Sequence, residues 1–306
     1  MAAQELAAEI HCPVLPLETL KFLAPRSDGI YVDGTLGLGG HSEAILQQSS
    51  PGGRVIAFDW DAAAIEKSRE RLKPFGDRLT IVRRNFSEIG EGLAEVGITQ
   101  VDGILIDIGL SSLQLDQGDR GFSFQRDEPL DMRMDVRREV TAASILADCS
   151  EEELADIFFY YGEEKQARRI ASFVVNARVL EPIASSKQFA DLVVRAVPRA
   201  FHPKKIHVAT RVFQALRIAV NTELENLAGI LEDGVKYLKP GGRFCVISFH
   251  SLEDRMVKRK FRDNVELKVL TKKPIVATSE EREKNRRSRS ARLRVAEKLL
   301  REEVKP

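Results

Sequence analysis

Three aspartates each close a short apolar run: Asp33 after Ile30-Tyr31-Val32, Asp59 after Val55-Ile56-Ala57-Phe58, and Asp107 after Ile104-Leu105-Ile106. Apolar runs of this length, bounded by turn residues, read as buried strands of a parallel sheet. Ligands of open α/β sheets bind just beyond the carboxyl ends of such strands. Three carboxylates from distant stretches then share one rim, a coincidence that helix capping alone explains poorly. Between the first run and the next helical pattern lies Gly34-Thr35-Leu36-Gly37-Leu38-Gly39-Gly40-His41. Glycines let a chain turn tightly and leave bare backbone against a ligand, and a helix start offers unpaired N–H groups. The dinucleotide fingerprint fits badly, because Gly37 and Gly39 fill its first two positions while Ser42 stands at the third. An acid at the strand end repels a pyrophosphate. It suits S-adenosylmethionine, which carries a sulfonium, an ammonium and a ribose, better than NAD. Asp59 stands about 20 residues beyond the loop, where such folds bind ribose hydroxyls. The alternative for Asp59 is a helix cap, a role open equally to Asp61.

The elements that must hold these residues follow in order. Leu17 to Leu23, His41 to Gln48 and Asp61 to Leu72 carry helical patterns, and Leu79 to Val82 is a third strand. Asn85-Phe86 comes where an adenine would lie, although core packing is an equal reading of the ring. A helix over Ser87 to Val96 precedes the fourth strand, Val101 to Asp107. The stretch Ile108 to Gln114 leaves that strand, where amine-directed methyltransferases hold the nitrogen to be modified. Gly121 to Asp135 has no clear period and is either a substrate-facing loop or a surface loop with anchoring side chains. From Thr141 to Val197 the pattern is helical, with Ser150-Glu151-Glu152-Glu153 as a capping-box start. That is too much for one crossover connection, so an inserted helical domain is expected over 116–205, for substrate binding, as a rigid lid or as a dimer contact. The remaining 1–115 and 206–306 form the sheet domain.

Helices over Thr210 to Val220 and Thr222 to Leu238 return to the sheet, stopped by Lys239-Pro240-Gly241-Gly242, and Arg243 to Ser248 is the fifth strand. Phe249-His250-Ser251-Leu252-Glu253-Asp254 follows at the active edge. It reads either as site chemistry or as a helix start capped by Ser251 with two acids in the favourable first turn. Arg255, Lys258 and Arg259, then Lys284, Arg286, Arg287 and Arg289, cluster on a chain whose net charge is only +1. That is the footprint of phosphate-backbone binding, with a solvated charge run as the alternative. Glu266 to Leu270 reads as a strand, and Arg292-Leu293-Arg294-Val295 alternates like a final edge strand.

Composition is that of a soluble globular protein, 43% hydrophobic and 30% charged. Cys12, Cys149 and Cys245 are widely spaced and odd in number, which suits a reducing cytoplasm rather than a disulfide framework. No metal-ligand spacing, membrane span or signal peptide is present in the sequence.

The motifs taken together resemble the bacterial ribosomal small-subunit methyltransferase H (MraW) family. The stretches that carry the likeness are Tyr31 to Thr35 with Gly39-Gly40-His41, Asp107 to Gln114, Arg120 to Phe124, Pro129 to Asp135, Tyr161 to Glu164, Phe213 to Ile218 and Ile247 to Arg255. Trp60, Leu113 and Val208 depart from the family's usual residues. The resemblance implies a class I S-adenosylmethionine-dependent methyltransferase fold (Rossmann-like) with an inserted all-helical domain. It implies N4-methylation of a decoding-centre cytidine of 16S ribosomal RNA in the small subunit. The family's cofactor contacts fall on Gly39, Gly40, His41, Asp59, Phe86, Asp107 and Gln114, to which the residues themselves add Asp33 and Gly37. Asp107 with Ser111 and Ser112 is expected to frame the target amine, and His250 with Asp254 to line the base pocket. A subunit-assembly factor with vestigial cofactor binding stays open as the alternative, and a dehydrogenase as a third reading.

Overall fold

The parallel strands form because runs such as Val101–Asp107 are apolar on both faces, and helices cover both. In the computed structural model, which describes residues 12–110 and 119–300, backbone proximity divides the chain into two compact units. One is Met1–Ser112 with Glu225–Pro306, and the other is Leu113–Leu224.

The first unit holds a sheet made of β1 (Ile30–Asp33), β2 (Arg54–Phe58), β3 (Leu79–Val82), β4 (Val101–Asp107), β5 (Leu238–Ser248), β6 (Leu267–Val269) and β7 (Arg292–Lys298). Its order among the described residues is β3-β2-β1-β4-β5-β7-β6. The first five strands of that order run parallel, and β7 pairs antiparallel with β5 and β6. The chain reverses its direction of travel between β1 and β4, which is the switch point where α/β sheets open a crevice. The flanking helices are α1 (Pro16–Leu23), α2 (Gly40–Gln48), α3 (Ala62–Leu72) and α4 (Ile89–Glu95).

Alternation along each strand splits the core into two layers. Val32, Ile56, Ile104, Ile106, Phe244 and Val246 face one layer with Ile89, Leu93 and Ile230, while Tyr31, Val55, Leu105, Cys245 and Ile247 face the other with Leu15, Ile45 and Leu72. Among the described residues no helix is long and apolar enough to cross a membrane.

Two expectations for this unit are corrected. β7 is not an edge strand: it lies between β5 and β6, because Leu293 and Val295 are fully buried and Arg294 is neutralised by Asp254. β5 starts at Leu238 rather than Arg243, and its pairing steps from Val101↔Leu238 to Gly103↔Arg243 across a bulge with Gly241 at φ 78°.

The second unit carries α5 (Ala142–Asp148), α6 (Glu151–Asp156), α7 (Ala167–Leu180), α8 (Ser186–Ala196) and α9 (Thr210–Asn221). The Ser150 capping box with Glu153 is formed, and α6 runs into a π-helical turn over Ile157–Tyr161. α9 belongs to this unit, although its sequence position suggested a return to the sheet. The stretch around Asp131 to Asp135 is an anchored loop. Met132 and Met134 are buried, Arg133 is held by Asp131, and the Asn221 side chain donates to the Met132 carbonyl and accepts from the Met134 amide. The next helix, α10 (Glu223–Tyr237), leads back into β5.

Candidate active site

Parallel pairing puts β2, β1 and β4 side by side, in register at Asp33↔Ala57 and Asp33↔Leu105. The carboxyl ends of all three strands therefore lie along one rim, and Asp33, Asp59 and Asp107 stand on it. Their jobs differ.

Asp33 is fully buried. Its Oδ2 accepts from Ser42 Oγ at 2.7 Å and its Oδ1 from the Thr35 amide at 3.1 Å. Burial lifts its pKa against the pull of His41, Ser42 and the Thr35 amide. Both oxygens are thus engaged within the protein, tying the glycine loop to the start of α2. Gly37 and Gly39 have φ of 51° and 79°, and the Gly39 amide donates to the Leu36 carbonyl at 2.7 Å. A Cβ on Gly39 would stand 2.8 Å from Leu72, so the turn excludes any side chain.

Asp59 receives the Gly37 amide on Oδ2 and the Asp61 amide on Oδ1, both at 2.9 Å. Asp61, not Asp59, caps α3, through its bond from the Ala63 amide. The capping alternative for Asp59 thereby falls away. Burial pushes the Asp59 pKa up to about 7, with the two amide donors limiting the rise.

Asp107 is held through its amide, which donates to Thr35 Oγ1 at 2.7 Å. Its Oδ2 lies 3.6 Å from His41 Nε2, and its Oδ1 is buried with no hydrogen bond from any described residue. Burial acts to lower the His41 pKa, but Asp107, Asp33 and a hydrogen bond with the Val14 carbonyl outweigh it, and the net shift is upward. Phe86 opens the short 3-10 turn Phe86–Glu88 after β3. It packs partly against the core, and a Cβ on Gly34 would meet its Cβ at 3.0 Å. The ring therefore stands at the rim while also serving the core.

The residues around β5 behave differently from expectation. α11 (Ser251–Asp263) is capped by His250 rather than Ser251. The His250 ring turns along Glu253, with Nε2 at 2.9 Å from Oε1 and Nδ1 at 3.5 Å from the Glu253 amide. Asp254 is clasped by Arg294 at 2.6 and 3.1 Å, with Arg292 at 3.6 Å. His250 and Asp254 therefore each have a private partner rather than facing one pocket together. Ser111, Ser112 and Gln114 lie outside the described residues. The sequence reading passed over Thr35, whose hydroxyl fixes Asp107. A hydroxyl two residues past a strand-end acid is the signal that could have found it.

The sequence profile of the MraW methylase family matches residues 8–299. The chain belongs to that family. It is 66% identical to the ribosomal RNA small subunit methyltransferase H of Desulfotalea psychrophila, over 96% of this chain and 99% of that one. It is 52% identical to the protein of the same name from Geobacter sulfurreducens, over 94% and 99%. Among solved structures it is similar to NSun6 from Pyrococcus horikoshii, with TM-score 0.48, 13% identity and coverage of 94% of this chain and 53% of that one.

Like the rest of the MraW methylase family, this chain is a methyltransferase, and its cofactor is S-adenosyl-L-methionine on a Rossmann-like class I sheet. The rim fits that molecule. At the rim, the turn at Gly37 and Gly39 carries no side chain, both Asp59 oxygens accept backbone amides, and Asp107 Oδ1 is buried with no hydrogen bond from any described residue. As an expected contact of the ribose hydroxyls, Asp59 would accept more strongly as the carboxylate than as the neutral acid, whose carbonyl oxygen still accepts. The expected result is a cofactor Kd that rises as pH falls through about 7, by at most about tenfold per pH unit, and that lacks this rise in Asp59→Asn. Calorimetric titration between pH 5.5 and about 8.5 checks this. A wild-type profile with no slope would remove Asp59 from the contact.

The basic residues lie where solvent reaches them. Arg255, Lys258 and Arg259 are exposed on α11, and Arg286 and Arg289 are exposed on the 3-10 turn Arg286–Ser290, with Arg287 half-buried. Lys284 sits on α12 (Ser279–Lys284), paired with Glu280 one turn away.

Proposed function

We propose that this chain methylates the N4 amine of a cytidine in 16S ribosomal RNA within the small subunit. The small-subunit ribosomal RNA follows the names of its relatives, and the cytidine amine follows the family resemblance of its motifs. The observation that carries the chemistry is Asp107 Oδ1, buried on the rim with no hydrogen bond from any described residue.

The cofactor supplies an electrophilic methyl group on its sulfonium. The protein's task is to present a poor nucleophile to it. The lone pair of a cytosine amine is delocalised into the ring. Asp107 Oδ1 accepts one N4–H, draws the lone pair back towards nitrogen, and stands ready for the proton that N4 sheds. The His41 ring stands against the other carboxylate oxygen, with Nε2 3.6 Å from Oδ2. Positioning the two reacting atoms supplies most of the gain. The target base must leave its stack to reach the rim, and the basic residues of α11 and the 3-10 turn engage the surrounding RNA.

The test is transfer of labelled methyl to assembled small subunits and to free 16S RNA, followed by nucleoside analysis. N4-methylcytidine is expected, and label confined to any other nucleoside would refute the assignment. The basic residues make a separate prediction. Removing Arg286 and Arg289 together weakens RNA binding at every sequence and flattens the slope of log K against log salt by roughly 1.4 for a single-stranded site. An unchanged slope, read by filter binding across a salt series, would place the RNA elsewhere.

A further inference from the structure

Phe249 has no role in the site as described so far, yet it stands beside the part of the rim that an acceptor must use. The last rung between β4 and β5 runs from the Ile108 amide to the Ile247 carbonyl at 2.9 Å. Gly109 follows Ile108 directly, and Phe249 comes one residue past Ile247, after Ser248. A Cβ on Gly109 would stand 3.3 and 3.6 Å from Phe249 Cδ2 and Cε2, so the ring rests on bare backbone where β4 ends. Gly109 has φ 131°, a conformation that keeps the position free of a side chain. The ring packs partly against the core and is otherwise half-exposed.

An aromatic ring at a strand end usually swings freely. This one is clamped from behind. Glu253 is 1% exposed, and its Oε2 accepts the amides of both Phe249 (2.8 Å) and His250 (3.2 Å). Charge-assisted bonds of this kind are stronger and more directional than neutral ones. They fix the backbone from which the ring projects. Cofactor-facing groups occupy the ends of β1, β2 and β3, and Asp107 marks β4. The methyl acceptor therefore approaches over β4 and β5, where the ring stands.

We propose that Phe249 is the platform on which the target base stacks once it leaves the RNA, and that Glu253 is the positioning residue that aims it. This rests on the cytosine-methylation reading above. Stacking on an aromatic side chain is sequence-tolerant and is lost on truncation.

The experiment measures kcat/KM for small subunits and cofactor Kd in parallel. Phe249→Ala lowers kcat/KM by about 10- to 100-fold, with cofactor Kd within about twofold of wild type. Phe249→Tyr restores activity. Phe249→Leu, which keeps apolar volume but no π face, does not. Glu253→Ala falls with Phe249→Ala and adds little to it in the double variant, the signature of groups acting as one. Glu253→Gln, whose amide oxygen still accepts both backbone N–H groups, recovers most of the loss. Full activity in Phe249→Ala or Phe249→Leu overturns the proposal, as does an equal loss of cofactor affinity. Wild type runs alongside with nucleoside analysis. If it forms N4-methylcytidine while Phe249→Ala matches it, only the platform is wrong. If wild type forms none, the function reading and the platform fall together.

Discussion

Asp107→Asn is expected to slow methyl transfer to small subunits by about 100- to 1000-fold, within the range for a positioned proton acceptor. The substitution keeps shape and volume, so the Thr35 bond to the residue 107 amide survives. What changes is the outward oxygen. An asparagine beside His41 must choose which of its two ends faces the ring, and the end that faces the amine has no negative charge to localise the lone pair. Where the amide nitrogen points outwards, two donors confront each other. The loss should fall mainly on kcat, with cofactor Kd changed about tenfold or less. Single-turnover transfer with nucleoside analysis separates the two. A variant within about threefold of wild type would show that the amine reacts unaided and that Asp107 only holds cofactor. A variant that is inactive yet restores subunit maturation would favour an assembly role.

Asp33→Ala is expected to cost about 3 kcal/mol of stability, and Asp33→Asn less than about 1 kcal/mol. The alanine leaves the Ser42 hydroxyl and the Thr35 amide buried without an acceptor, and empties space beneath the glycine loop. The asparagine keeps an oxygen for the Thr35 amide, and the Ser42 hydroxyl rotates to accept from the new NH2 group. It also removes a charge that burial disfavours. Thermal unfolding should place Asp33→Ala roughly 6–12 °C below wild type, on the usual scaling for chains of this size. Cofactor affinity in Asp33→Asn should stay near wild type, because neither oxygen of Asp33 faces outwards. A large loss of affinity with unchanged stability would return Asp33 to the list of ligand contacts that its strand-end position suggested.

The strand ends and the glycine loop were legible because their signals are local. An apolar run, a closing acid and a turn are all read within a dozen residues, and the parallel sheet then fixes which ends share a side. The functions of the three acids were not legible in that way. Asp33 and Asp107 have similar sequence surroundings, an apolar run and a glycine nearby, and only their contacts distinguish them: Ser42 Oγ and the Thr35 amide occupy both Asp33 oxygens, while Asp107 Oδ1 has no hydrogen bond from any described residue. β7 was misplaced for a related reason. Arg292-Leu293-Arg294-Val295 alternates as if one face were wet, but Arg294 is received by Asp254 from a helix 40 residues earlier, and no local pattern announces that pair. His250 looked like site chemistry because histidine rarely caps a helix, and the buried Glu253 that turns its ring inwards looked like an ordinary first-turn acid. The D-M-R-M-D stretch had no period because its order comes from Asn221, more than 80 residues away.

The neighbour of β4 on its outer side, β5, begins at Leu238, roughly 130 residues after β4 ends at Asp107. On a translating ribosome at typical elongation speeds, that delay lasts on the order of 7–26 s. Throughout it, a seven-residue apolar strand has its hydrogen-bonding edge open. The intervening helical unit, which carries the buried Met132, Met134 and Leu216, leaves the exit tunnel during that interval. The nascent protein thus carries a sticky, half-built sheet for roughly two-fifths of its synthesis, and the catalytic crevice is finished only as the last quarter of the polypeptide emerges.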